Sequence, residues 1–150
     1  MKVRKATLND AIALVDFNQA MAFETEKKQL DSDILTAGVN QLLNDENKGF
    51  YLVAELPSGE IAGSLMVTFE WSDWRNSQFW WIQSVYIRPQ NRRQGIYSKL
   101  YNNVKALANE EQGVCGFRLY VEKDNITAQK TYQNLGMHES HYDMYETDNE

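Results

Sequence analysis

The stretch that most limits the fold is "FWWIQSVYIRPQNRRQGIYSKLY", Phe79–Tyr101. Its first part, Phe79 to Ile87, reads as a strand that is apolar on both faces at its far end, which places it in the middle of a sheet. Pro89 cannot donate to a strand ladder and ends it. After Gly95 the period changes: Ile96, Leu100, Tyr101, Val104, Leu107 and Ala108 recur at helical spacing. A central strand, an arginine-rich loop, a glycine and a helix therefore follow one another directly, as in an α/β unit.

The remaining elements fit around this unit. "KVRKAT" (Lys2–Thr7) reads as a short strand, and Thr7-Leu-Asn-Asp10 as a capping-box-like helix start with Asp in place of Glu. Helical spacing of Leu8, Ala11, Ile12, Val15 and Ala22 predicts a helix near residues 8–22. "AFETEKKQLDSD" then reads as a connection that contains Glu24 and Glu26. Asp31 or Ser32 can cap a second helix, which ends near Gly49. "FYLVAEL" and "IAGSLMVTFEW" read as a hairpin around the turn "PSGE". Further strands are expected at "FRLYVE" (Phe117–Glu122) and "HYDMYE" (His141–Glu146), with a helix over "NITAQKTYQNL" between them and Gly136 as its stop. The predicted order is β-α-α-β-β-β-α-β-α-β, an α/β (α+β) fold in a single domain, residues 1–150.

Composition narrows the function classes. At 150 residues, 43% of them hydrophobic, the chain can bury a proper core. The start lacks the apolar segment of a signal peptide, and no apolar run is long enough to span a bilayer. The single cysteine, Cys115, excludes an internal disulfide, which fits a cytoplasmic setting. His138 and His141 have no third ligand near them, so no metal is expected. A formal net charge of -6 argues against a nucleic-acid binder.

Against that charge, Arg88, Arg92, Arg93 and Lys99 gather around Gly95 with no acid among them. The first N–H groups of a helix lack internal partners, and the helix dipole adds positive potential there. A glycine lets an anion approach the backbone, and guanidinium groups add charge-assisted hydrogen bonds. The stretch suits a pyrophosphate; a basic, solvated helix start is the other reading. It is neither G-x-x-x-x-G-K-[ST] nor G-x-G-x-x-G, since Gly95 stands alone.

"VYIRPQNRRQGIYSKLY" resembles the acyl-CoA loop of the GNAT superfamily of N-acetyltransferases, [QR]-x-x-G-x-[GA] after a strand. Arg92 and Gly95 fill its first two fixed positions, and Tyr97 stands where the family has Gly or Ala. "VEKDNITAQKTYQNLGM" (Val121–Met137) resembles the family's later motif, N-x-x-A-x-x-x-Y-x-x-x-G-[FM], through Asn125, Ala128, Tyr132, Gly136 and Met137. The resemblance implies a mixed, mostly antiparallel sheet whose central parallel strands splay apart, and transfer of an acetyl group from acetyl-CoA to an amine. It implies that backbone groups of Val85 and Ile87 pair with the pantetheine arm. The amides of Arg92, Arg93, Gln94, Gly95, Ile96, Tyr97 and Ser98 would hold the pyrophosphate, and Asn125 would bond the pantetheine region. Tyr132 matches the family tyrosine beside the sulfur, a general acid for the departing thiolate; packing of the helix is its other reading.

An alkyl ammonium must lose a proton before it attacks. Several family members carry a glutamate near the position of Gln83, an amide that can hold the amine or a water but cannot serve as a base. Glu70, on the preceding strand, is the best carboxylate candidate for that role; a solvated acid at a strand end is its other reading. Glu24, Glu26, Trp71 and Gln83 are the candidate contacts for the acceptor, and Trp74, Trp80 and Tyr142 can wall its pocket. The expected partners are a small-molecule amine and, as is the family habit, a second copy in a homodimer, with no nucleic acid and no membrane. Acylation of a protein or peptide amine, transfer of a longer acyl group, and a CoA-binding regulatory module without catalysis are the alternatives.

Overall fold

The computed structural model describes residues 1–149. The chain forms two compact units, Met1–Leu119 and residue 120 onward. The first holds a five-stranded sheet in the order β1-β2-β3-β4-β5: β1 (Lys2–Lys5), β2 (Gly49–Glu55), β3 (Ile61–Ser72), β4 (Ser77–Ile87) and β5 (Val114–Arg118). Helices α1 (Ala11–Glu26) and α2 (Ser32–Leu43) lie between β1 and β2 in the chain, and α3 (Ile96–Glu111) between β4 and β5. The second unit holds α4 (Ile126–Asn134).

Local chemistry sets each boundary. Thr7 caps the entry to α1, and its own N–H donates to Asp10 Oδ2 at 2.8 Å, so the capping box works with Asp as read. Arg4 donates to both oxygens of the buried Asp10, at 2.8 and 3.0 Å, and ties β1 to this cap. The helix expected to stop near residue 22 continues to Glu26, because no breaker intervenes before Lys27, which ends it at φ 56°. Asp31 caps α2 by accepting from the Ile34 N–H at 3.0 Å. The β2–β3 turn closes with Leu56 N–H donating to Glu60 O at 2.8 Å.

Strand alternation builds two apolar layers. On one face Tyr51, Val53, Ile61 and Tyr86 pack with Leu14, Phe17, Val39 and Leu42 of α1 and α2. Alternation turns Leu52, Leu65, Val67 and Trp80 to the other face. There α3, in contact with β2, β3 and β5, buries Ile96, Leu100, Tyr101, Val104 and Ala108. Burial of Leu100 or Val104, both 0% exposed, contributes about 1.5–3 kcal/mol each.

Two strand expectations change. β5 occupies Val114–Arg118 rather than Phe117–Glu122. Its parallel ladder pairs Phe79 with Gly116, Trp80 with Phe117 and Trp81 with Arg118, which fixes the strand ahead of the expected span. The strand expected at His141–Glu146 is absent: those residues belong to no ladder, and Tyr142, Met144 and Tyr145 are exposed.

The central pair carries the feature that shapes the site. From Met66 to Ser64 β3 advances two residues, while its partner β4 advances three, from Gln83 to Tyr86. The extra residue is a β-bulge, with Ser84 at φ 51°. It restores Tyr86 to the α1/α2 face, where Phe17 meets its ring at 5.3 Å. The β4–β5 ladder ends at Trp81 with Arg118, so Ile82–Ile87 of β4 has no strand partner on that side among the described residues. The parallel ladder thus stops short of the bulge.

Candidate active site

The glycine read as the anion approach has the backbone that role needs. Gly95 is the N-cap of α3 at φ 76°, and no side chain caps this helix end. A Cβ built on Gly95 would meet nothing within 4 Å, so the space over the loop is open. The Lys99 N–H donates to Gly95 O at 3.2 Å, so the helix's own ladder begins there and the amides before it have no acceptor within the helix. Ile96 is buried and anchors the first turn, while Arg93, Gln94 and Gly95 are exposed. Tyr97 stacks on Tyr101 with ring centroids 6.2 Å apart, so the departure from Gly or Ala adds to a ring pair. Uncapped amides, a positive helix end and the open β4 edge from Ile82 to Ile87 fit the phosphates and amide-bearing arm of a CoA thioester.

The side chains around the loop are more committed than sequence suggested. Arg92 Nε donates to the Ile87 carbonyl at 2.9 Å, and its Nη2 donates to Glu24 Oε1 at 2.8 Å. The Tyr86 hydroxyl donates to Glu24 Oε2 at 2.5 Å. The Tyr86 bond, then Arg92, holds the Glu24 carboxyl below its usual range, while burial and the facing Glu24 push the Tyr86 phenol up. Glu24 and Glu26 stand in the last turn of α1 rather than in a loop. Both Glu24 oxygens are taken by protein donors, whereas among the described residues the one cation paired with Glu26 is Lys28, at 4.0 Å.

A second polar cluster lies along β3, β4 and β5. Glu70 accepts from Trp81 Nε1 at 2.6 Å, and both its oxygens accept from Arg118 Nη1 at 3.0 Å. These contacts, Trp81's bond foremost, lower the Glu70 carboxyl from its ordinary range and weaken it as a proton acceptor. Arg118 lies over the Phe79 ring at 3.6 Å, with Arg75 also over that ring at 5.1 Å. Gln83 Nε2 donates to Thr68 Oγ1 at 2.6 Å. Trp71 and Trp74 are exposed near the end of the β3–β4 hairpin, and Trp80 belongs to the core.

In the second unit, Asn125 is the N-cap of α4, its Oδ1 accepting from the Ala128 N–H at 3.1 Å. Its carbonyl oxygen is therefore used locally, and its amide NH2 is the group that can face a ligand. Tyr132 lies mid-helix, partly buried, and burial raises its phenol above the ordinary value. It stays protonated at neutral pH, as a proton donor must. Among the described residues no group of three or more His, Cys, Asp or Glu is placed to hold a metal ion. No described helix is long and apolar enough to cross a membrane.

Comparison with known proteins agrees with this fold. Residues 13–137 match the acetyltransferase (GNAT) family. A possible acetyltransferase from Clostridium difficile 630 is 45% identical, with a TM-score of 0.91 covering 99% of this chain and 97% of that one. A thialysine N-epsilon-acetyltransferase of Sus scrofa is 38% identical over 99 residues, 61% of this chain; the chain spans only 57% of that protein's length. A predicted acetyltransferase from Clostridium acetobutylicum, solved with acetyl-CoA, shares the fold at TM-score 0.79 and 18% identity, over 97% of this chain and 95% of that one. The fold and the family match define an acyl-CoA-dependent transferase. The chain belongs to the GNAT acetyltransferase family and is an acetyl-transferring enzyme.

Proposed function

We propose that the protein moves the acetyl group of acetyl-CoA to the primary amine of a small molecule, by direct attack within a ternary complex. The carrying observation is the uncapped start of α3 with Gly95 at φ 76°, next to a β4 edge that β5 leaves open. In this reading the amides around Gly95 hold the pyrophosphate, and the β4 backbone at Val85 pairs with the pantetheine arm. The Ile87 carbonyl serves Arg92 instead. Tyr132 supplies the proton that the thiolate takes as it leaves. Gln83, fixed by Thr68, faces the amine as a hydrogen-bonding group. Glu26 and the hairpin residue Trp71 remain the acceptor-side contacts. The relative from Sus scrofa supports a small amine acceptor, since its name specifies a side-chain nitrogen of an amino acid analogue. A cytoplasmic setting is supported by the lone, unpaired Cys115, and a homodimer by the exposed Tyr142, Met144 and Tyr145.

The test is thiol release from acetyl-CoA against a panel of thialysine, lysine, polyamines and lysine-bearing peptides, with wild type and Tyr132→Phe. The expected result is turnover with a small amine. In the Phe variant turnover should drop about 10²–10⁴-fold, the usual contribution of a positioned acid, with acetyl-CoA affinity little changed. Turnover on peptides alone would move the acceptor to protein amines. Tight CoA binding without any turnover would replace the enzyme by a regulatory module.

A further inference from the structure

The sequence points to Arg92 as a phosphate ligand and to Glu24 as a contact for the amine. The geometry joins the two residues instead. The planar guanidinium of Arg92 spends Nε on the Ile87 carbonyl and Nη2 on Glu24, while its carbon lies 5.4 Å from the centre of the Tyr86 ring. The other oxygen of Glu24 accepts from the Tyr86 hydroxyl. One carboxylate at the end of α1 thus fastens both the last part of β4 and the first residue of the loop.

The loop needs such a fastening. Arg93 stands at φ 63° and Gly95 at φ 76°, so two of its residues lie in the left-handed region, one of them with a side chain. A non-glycine residue keeps that conformation only where the surroundings over-determine it. Yet Arg93 is exposed, and among the described residues no hydrogen bond or ion pair ties down its side chain. Restraint must come from its neighbours, and Arg92 is the neighbour with three contacts. The ion pair itself is part-exposed, at 44% and 37%, so it contributes little to global stability. Its consequence is positional.

We propose that Glu24 is a positioning residue for the CoA loop: it holds Arg92 against the Ile87 carbonyl and thereby fixes the backbone that presents the amides of the Gly95 turn. The inference rests on the reading of that turn as the pyrophosphate site. Arg92 then acts as a strut, not as a phosphate ligand, and Glu24 acts through it, not on the amine.

The experiment is calorimetric titration of CoA into wild type, Glu24→Gln, Arg92→Lys, Arg92→Ala and the Glu24→Gln/Arg92→Ala double variant, with a melting curve of each ligand-free protein. Glu24→Gln should weaken CoA about 3–10-fold, while its ligand-free melting temperature falls by no more than about 4 °C. Arg92→Lys should weaken CoA as Arg92→Ala does, because a lysine cannot serve both acceptors at once. The double variant should be no worse than Arg92→Ala alone. Were Arg92 a phosphate ligand, Glu24→Gln would release it, and CoA would bind equally well or more tightly; that result overturns the proposal. So does an additive double variant, or retention of most affinity by Arg92→Lys. A wild type that binds no CoA removes the reading of the turn itself, an outcome distinct from all of these.

Discussion

At the scale of single residues, the clearest lesson is that a carboxylate's chemistry follows from its donors. Glu70 is the best base candidate by sequence because it is a carboxylate on the strand before the central one. Its partners Trp81 and Arg118 come from strands 11 and 48 residues away, which no local pattern reveals. They hold it ionised and lower its basicity. Glu70→Gln is therefore expected to reduce turnover less than about 10-fold, against the 10²–10⁴ of a true base; steady-state rates with saturating amine check this. Tyr132 behaves in the opposite sense, since its burial raises the phenol. Its proton should remain in place up to at least about pH 10, the ordinary tyrosine value. A pH–rate profile that loses activity through deprotonation of this group below pH 9 would contradict the assignment. Tyr132, Asn125 and Gly95 stand out in the sequence because they fall in spaced motifs. The commitments of Glu24 and Arg92 do not, because they join residues 68 positions apart.

Among the elements, strands and helices were read where period and punctuation agree: the "PSGE" hairpin, the capped start of α1 and the long α3 all match. The bulge at Ser84 left no mark, because nothing in "IQSVY" signals a residue at φ 51°. The "HYDMYE" segment shows the converse: it reads as a strand, but strand structure requires a ladder, and none includes it. The bulge makes a testable claim on stability. Ser84→Gly relieves a left-handed conformation that costs a side-chain-bearing residue about 1–2 kcal/mol, so it should raise the urea midpoint; Ser84→Val should lower it. Close strand approach gives a second claim. A Cβ at Gly63 would lie 2.8 Å from the Tyr86 carbonyl and 2.5 Å from Ile87 Cδ1. Gly63→Ala should then destabilise the protein by about 1–3 kcal/mol in denaturant titration, and it should disturb β4 just where the arm of CoA is expected.

At the scale of the whole molecule, three carboxylates among the described residues titrate below their ordinary values: Asp10 through Arg4, Glu24 through Tyr86 and Arg92, and Glu70 through Trp81 and Arg118. The unfolded chain binds protons at these groups near pH 3.8 for Asp10 and 4.5 for the two glutamates, before the folded chain does. Their stabilisation is complete above about pH 4.5 and is lost as pH falls through the lower folded values. Urea unfolding followed from pH 7 to pH 3 should show a falling midpoint, and Asp10→Asn should flatten part of that fall. The end of the β4–β5 ladder at Trp81 has a consequence of another kind. Backbone amides that face β3 are locked in a ladder, whereas those of Ile82–Ile87 that face the gap have no strand partner among the described residues. In deuterated water the two sets on one strand should separate in time, the gap-facing amides labelling early and the others late. Added CoA should slow only the first set, so that a single strand carries its own internal clock for occupancy.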